Sequence, residues 1–423
     1  MKTLARRVKE AAKSWLFVTT VRFILPGRYK RHLERIRLNV RQGKRIRILF
    51  LSSETAKWKI QGLFRLLCSD KRFDPFVVIC PMSAAARNDL GLLSKKLADL
   101  RSFHVQMGNP TLNGIDGSGS PVPLSFFSPD IVWFDQPWML FPSNEPMTVS
   151  RFALTCYQPY FVPNYEKFPE TCFLPFHRCL FEMMVMNDQL ANGYRVDIGS
   201  RAYAAHFISV GHTALDLIRS SNPEERFRDC VIYAPHWSFI HPNNPNWECF
   251  STFLQNGREI LAYAKNHKEI QWVFKPHPSL AEQLVRKKVW TDSEVSSYYD
   301  EWQKLGTVCL DGDYQSLFAS ARAMVTDCGS FLTEFAATGR PIIHLLPFPR
   351  RTYPSEAMAP LFNTFYQVQN LETMYRAFDE IIVHGKDPQR DTRLAMVRAY
   401  GLQNSDAARR IVLHLENLFC LKP

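Results

Sequence analysis

Residues 270 to 274 (Ile-Gln-Trp-Val-Phe) and 323 to 326 (Ala-Met-Val-Thr) are short apolar runs bounded by polar residues. This pattern constrains the fold more than any other feature of the chain. Runs of that length predict strands buried on both faces, as in a parallel sheet. Each hands over at its carboxyl end to a cluster of reactive residue types: Lys275-Pro276-His277-Pro278 after the first, Asp327-Cys328-Gly329-Ser330 after the second. Open α/β sheets bind ligands along that edge, so the two clusters mark one candidate site.

The second cluster has a physical logic for phosphate. Asp327-Cys328-Gly329 predicts a tight strand-to-helix turn with Ser330 in the first helical positions, where N–H groups without helical partners and the helix dipole favour an anion. Glu334 follows four residues later on the same side, which places a carboxylate within reach of a ribose hydroxyl. The plainer alternative is a Ser330 that only caps the helix and a Glu334 paired with a surface cation. In the first cluster, Lys275 and His277 are two potential cations, and the flanking prolines fix the backbone and remove competing N–H donors. A histidine beside a diphosphate neutralises a leaving group as imidazolium or as an N–H donor.

Five segments occur in a telling order: Tyr233-Ala234-Pro235-His236-Trp237, Phe274 to Pro278, Asp313-Tyr314-Gln315-Ser316-Leu317-Phe318-Ala319-Ser320-Ala321, Thr326 to Ser330, and Gly339-Arg340-Pro341-Ile342-Ile343. Together they resemble the CDP-glycerol glycerophosphotransferase family, which includes the teichoic acid primases and polymerases. The resemblance covers roughly residues 205 to 385, with a weaker likeness upstream. It implies a GT-B fold, an α/β architecture of two Rossmann-like doubly wound parallel-sheet domains facing a cleft, with the nucleotide on the C-terminal domain. It also implies that His277 and Ser330 contact the donor phosphates and that His236, on the turn that closes over the donor, stands where the family has a threonine; the reading of the two clusters themselves adds Lys275, Asp327, Gly329 and Glu334 to the donor site. The family's Trp-His-Gly motif, whose histidine is the usual candidate for the acceptor base, has no counterpart in Leu154-Thr155-Cys156-Tyr157-Gln158-Pro159-Tyr160. Asp135, Tyr157 and His177 are the candidates left for the acceptor side, each with a structural role as the alternative.

Charge is concentrated at the start of the chain. Residues 1 to 47 hold fifteen Lys and Arg against Glu10 and Glu34, and the whole chain has a net charge of +12, so the remainder is close to neutral. Leu4, Val8, Ala11, Trp15 and Val18 recur at helical spacing, which predicts an amphipathic segment over residues 1 to 44 lying on an anionic membrane surface. The apolar run from Trp15 to Leu25 is broken by Arg22 and is too short to span a bilayer. A nucleic-acid role is not expected, because the aromatics are clustered rather than interleaved with the basic residues. Ten cysteines lie scattered without a Cys-x-x-Cys pair or a zinc-like spacing, and no cleavable signal is recognisable before them. The expectation is a cytoplasmic protein with reduced thiols, peripheral on the inner face of the cell membrane. No metal site or cofactor is expected: Asp311-Gly312-Asp313 reads as a loop whose Asp313 caps a helix, and the first strand is not followed by Gly-x-Gly-x-x-Gly.

A pass along the chain predicts a first strand at Arg45 to Leu51, a helix opened by Ser52-Ser53-Glu54-Thr55 and running through Leu67, and a second strand at Pro75 to Cys80. A loop follows over 107 to 125, then a strand at Ile131 to Phe134 with Asp135-Gln136-Pro137-Trp138 at its carboxyl end. The domain reading is a basic extension (1–44), an N-terminal Rossmann-like acceptor domain (45–215), a C-terminal nucleotide-donor domain (228–388) and a C-terminal helix (389–423), with a flexible loop at 242 to 245. The expected function is transfer of a polyol phosphate, glycerol phosphate first, from a CDP-activated donor to a hydroxyl of a glycan or lipid-linked acceptor in the cell envelope or capsule. One alternative is a GT-B glycosyltransferase that uses another nucleotide-diphosphate donor, a nucleotide sugar, in surface polysaccharide synthesis. The other is a non-catalytic, membrane-docking scaffold of the same fold.

Overall fold

The computed structural model describes residues 12–81, 89–162, 164, 174–198, 206–239, 249–310, 314–348, 350, 353–403 and 406–421. Among the described residues, thirteen strands form two sheets. The first comprises β1 (Ile46–Ser52), β2 (Phe73–Ile79), β3 (Thr111–Asn113), β4 (Ile131–Phe134), β5 (Leu154–Tyr157), β6 (Glu182–Val185) and β7 (His206–Ser209), in the order β3-β2-β1-β4-β5-β6-β7. The second comprises β8 (Val231–Ala234), β9 (Trp272–Phe274), β10 (Thr307–Val308), β11 (Ala323–Thr326), β12 (Ile342–Leu345) and β13 (Tyr366–Val368), in the order β10-β9-β8-β11-β12-β13. Every pairing within both sheets is parallel. The strand order of each sheet thus reverses once, between β1 and β4 and between β8 and β11, and a doubly wound sheet opens its ligand crevice at that reversal.

Burial explains why these segments are strands. All residues of β4, β5, β6, β8, β9, β11 and β12 are buried, as strands covered by helices on both faces must be. The chain divides into two compact units, Met1–Tyr160 with Pro169–Thr213 and Asp406–Pro423, and Phe161–Phe168 with Ala214–Ser405. In the second unit the core is aromatic: Phe274 stacks on Trp302 with centroids 5.1 Å apart, and Trp272 and Phe378 pack beside them.

Some elements differ from the sequence expectation. The helix expected from Ser52 begins at Gln61, after a single 3-10 turn at Thr55–Lys57, because the Ser53 N–H and hydroxyl are taken by Asp135, a contact between residues far apart in sequence. The loop at 107 to 125 contains β3, a half-exposed edge strand held by its ladder to β2. The C-terminal helical segment is two helices, Arg390–Ala399 and Ala407–Phe419, separated at Gly401, whose φ of +66° suits glycine. The second of them packs in the first unit, where His414 meets the buried Glu182 and Arg37 donates to the Leu418 carbonyl.

The helix Leu25–Arg41 is no detached extension. Its Leu25, Tyr29 and Ile36 are buried in the first unit's core, and the Tyr29 hydroxyl bonds to the Cys179 carbonyl and Thr155. Leu4, Val8, Ala11, the loop at 242 to 245 and Asp311 to Asp313 lie outside the described residues.

Candidate functional site

In the second unit the reversal point brings together three strand ends. β8 leads into Pro235-His236-Trp237, β9 into Lys275-Pro276-His277, and β11 into Asp327-Cys328-Gly329. Asp327 organises them. It is 1% exposed, and one carboxylate oxygen accepts from the His236 N–H at 2.6 Å while the other accepts from the Thr252 N–H at 2.5 Å and the Thr252 hydroxyl at 2.9 Å. Burial pushes its pKa up to about 7 against those hydrogen bonds. The carboxylate expected at the donor is therefore engaged in fixing the β8 loop and the segment at Thr252. Thr326, one residue earlier, ties the same strand ends: its hydroxyl donates to the Ala234 carbonyl at 2.6 Å and accepts from the Cys328 N–H at 2.9 Å.

The two histidines of this edge meet. The rings of His236 and His277 lie 5.0 Å apart at 68°, and Trp237 is 6.1 Å from His277. Their tautomers follow from the backbone. The Ser238 N–H donates to His236 Nδ1 at 3.2 Å, with the Ser238 hydroxyl 2.7 Å from the same nitrogen, and the Ser279 N–H donates to His277 Nδ1 at 3.1 Å. A ring nitrogen that accepts from an amide carries no proton, so each neutral ring has its hydrogen on Nε2 and presents it as a donor. Desolvation pushes the His277 pKa down to about 4, assisted by the charge of Lys275. His236 is held well below its ordinary value, first by desolvation and then by His277. At neutral pH both rings are thus uncharged.

Around them stand the other residues expected from the sequence. Gly329 and Ser330 occupy the first two positions of the helix Gly329–Ala336, with Cys328 as its N-cap, and the Ser330 hydroxyl lies 3.3 Å from Cys328 Sγ. Lys275 is 2% exposed, and its ammonium sits 5.9 Å over the Tyr314 ring. Tyr314 donates its hydroxyl to Glu334, which is 2% exposed. Lys275, Tyr314 and Glu334 thus form a buried polar line behind the helix start. Asn164 closes that side by donating to the Gly329 carbonyl at 2.7 Å.

Ser238, Thr252 and Asn164 carry no motif signal in the sequence, since their role arises from loops that meet only in the fold. Tyr314 and Thr326 stand inside the ordered segments but have no feature of their own that singles them out.

The first unit repeats part of this arrangement. Asp135 follows β4 as Asp327 follows β11, and it accepts from the Ser53 N–H at 2.6 Å and the Ser53 hydroxyl at 2.7 Å with one oxygen. Its other oxygen, Oδ1, is buried without a hydrogen-bond partner, as is Nε2 of the adjacent Gln136. Burial raises the Asp135 pKa to about 6. Lys57 pairs with Glu54 at 3.1 Å and with Gln136 Oε1. The other two acceptor candidates come together elsewhere. Tyr157 and His177 pack 5.7 Å apart among Phe134 and Phe176, 1% and 2% exposed, and burial pushes His177 down to about 3.

Among the described residues no group of three or more His, Cys, Asp or Glu has the arrangement of a metal site, nine cysteines are free thiols, and no helix is long and apolar enough to cross a membrane.

No protein-family model matches the chain, and no curated protein sequence matches it. Solved structures do. The UDP-GlcNAc 2-epimerase of Neisseria meningitidis bound to UDP-GlcNAc superposes with a TM-score of 0.56 at 14% identity, over 88% of this chain and 100% of that one. The Staphylococcus aureus MnaA–UDP structure gives 0.54 at 13% identity, over 89% and 99%. Another UDP-N-acetylglucosamine 2-epimerase gives 0.55 at 15% identity, over 90% and 98%. At such identities the likeness is one of fold. The protein has the GT-B fold, two Rossmann-like doubly wound parallel-sheet domains.

Proposed function

We propose that the second unit binds a nucleoside diphosphate and that the protein is a GT-B enzyme acting on a nucleotide-activated sugar. The observation that carries this reading is the pair of imidazoles, His236 and His277, each held by a backbone amide as an Nε2–H donor at the reversal of a doubly wound sheet. A diphosphate seated there meets two uncharged donors and the start of the helix Gly329–Ala336. When the bond between the sugar carbon and the phosphate oxygen breaks, charge grows on the departing diphosphate. Donors fixed in place before reaction stabilise that charge more than they stabilise the ground state. Lys275 supplies positive charge from behind. We assign the acceptor side to the first unit, with Asp135, whose raised pKa and unpartnered oxygen suit a proton acceptor, as its base. The UDP and UDP-GlcNAc bound in those solved structures of the same fold favour a uridine nucleotide.

A second reading has its own support. The ordered segments from Tyr233 to Ile343 resemble those of CDP-glycerol glycerophosphotransferases, in which the attacked atom is phosphorus and the transferred group a polyol phosphate. Titration calorimetry with UDP, UDP-GlcNAc, CDP, CDP-glycerol and CDP-ribitol separates the two. Uridine-selective binding supports the sugar reading, cytidine-selective binding the polyol phosphate reading, and no binding of any of the five overturns the donor site.

A further inference from the structure

The described chain opens with a helix that runs from residue 12 to Arg41, interrupted by one π turn at Thr20–Ile24. Pro26 explains the turn. Proline has no N–H for the carbonyl four residues back, and the wider turn shifts the Leu25 N–H to the Thr20 carbonyl. The inserted residue also resets the helix faces. An α-helix returns to the same side after seven residues, and a π turn adds one. Trp15 and Phe23, eight apart across the turn, therefore share a side, and Lys30, seven beyond Phe23, continues it.

The opposite side is occupied by the protein itself: Val21, Leu25, Tyr29 and Ile36 are buried, with Phe17 and Val18 packed against the same core. The outer side is open. Trp15 is 69% exposed, Leu16 59% and Phe23 71%, and Lys13, Arg22, Lys30 and Arg31 are exposed beside them. Glu34 is the one acidic residue between Lys13 and Arg47.

Large apolar side chains at one end of a helix, flanked by cations along the rest, match the boundary of an anionic bilayer, where aromatics enter the headgroup layer and Lys and Arg meet lipid phosphates. We infer that this outer side, Trp15, Leu16 and Phe23 with Lys13, Arg22, Lys30 and Arg31, docks the protein on an anionic membrane surface. The sequence alone places the apolar stripe on Leu4, Val8, Ala11, Trp15 and Val18. The structure moves it, because Val18 faces the core and Phe23 faces out. The inference is independent of the donor site in the second unit.

Sedimentation of the full chain with lipid vesicles tests it. Wild-type protein should pellet with vesicles carrying phosphatidylglycerol and stay in solution with pure phosphatidylcholine, and added salt should weaken the binding. Trp15→Ser with Phe23→Ser, and separately Arg22→Glu with Lys30→Glu, should each lower partitioning by roughly tenfold or more. All four side chains are exposed, so the variants should keep the wild-type melting temperature and nucleotide affinity. Equal binding to both vesicle types, unchanged partitioning of the serine variant, or binding to duplex DNA or RNA in preference to the anionic vesicles overturns the proposal.

Discussion

Replacing His277 by Ala and by Gln is the most direct test of the proposed donor site, because one ring nitrogen is already engaged by the backbone and only the other is left to meet a ligand. Nδ1 accepts from the Ser279 N–H, so the ring has one hydrogen to give, on Nε2. Hydrogen bonds to a charged partner contribute about 1.5–3 kcal/mol, so losing one to a diphosphate oxygen should weaken nucleotide binding roughly 10- to 150-fold. If the bond strengthens as the leaving group departs, turnover should fall by about a hundredfold or more. His277→Gln returns an N–H donor near the former Nε2 and should recover most of the affinity, within roughly tenfold of wild type. Because desolvation and Lys275 push the His277 pKa down to about 4, the ring is neutral throughout the physiological range. The pH dependence of affinity between about pH 6 and 8 should therefore be the same in wild type and the Gln variant, because Asp327, pushed up to about 7, titrates there and His277 does not. Calorimetry of the three proteins with the tightest nucleotide, repeated across that range, provides the data. An unchanged dissociation constant in the Ala variant removes His277 from the site. A Gln variant as weak as the Ala variant refutes the Nε2 donor argument.

Three further outcomes are expected. Asp327→Ala leaves the His236 N–H and both Thr252 donors without their acceptor and should cost about 3 kcal/mol or more in urea denaturation, with nucleotide binding lost alongside; wild-type stability would show that Asp327 does not organise the loops. Gly306→Ala would place a Cβ 2.2 Å from the Trp272 carbonyl oxygen, a backbone clash that should lower stability by about 1–3 kcal/mol, and a neutral result would mean that β9 and β10 separate at little cost. His177, neutral and buried with its pKa pushed down to about 3 from 6.5, takes up a proton more readily in the unfolded chain. Its contribution is complete above about pH 6.5 and drains as pH falls toward 3, amounting to roughly 2–3 kcal/mol at about pH 4.5. His177→Phe should reduce this acid loss in denaturation curves, and an identical pH profile would contradict the assignment.

The short apolar runs determined much of the fold, because a strand buried on both faces must be apolar throughout and must end where polar residues begin. Ala323–Thr326 and Ile131–Phe134 have the limits read from the chain, and the ends of the short apolar runs put Lys275, His277, Gly329 and Ser330 at one sheet edge. The order of the strands, the atom each histidine presents and the work of Asp327 were not legible. They depend on Ser238, Ser279 and Thr252, whose hydrogen bonds exist only once separate loops are folded together, and a small polar residue in a loop looks the same whether it orients a ring or faces water. The basic charge near the amino terminus was plain in the composition, but which side of that helix is free was decided by the core that covers the other side and by the π turn around Pro26. Local chemistry along the chain fixed what the elements are, and long-range packing fixed which of their atoms remain available to a ligand.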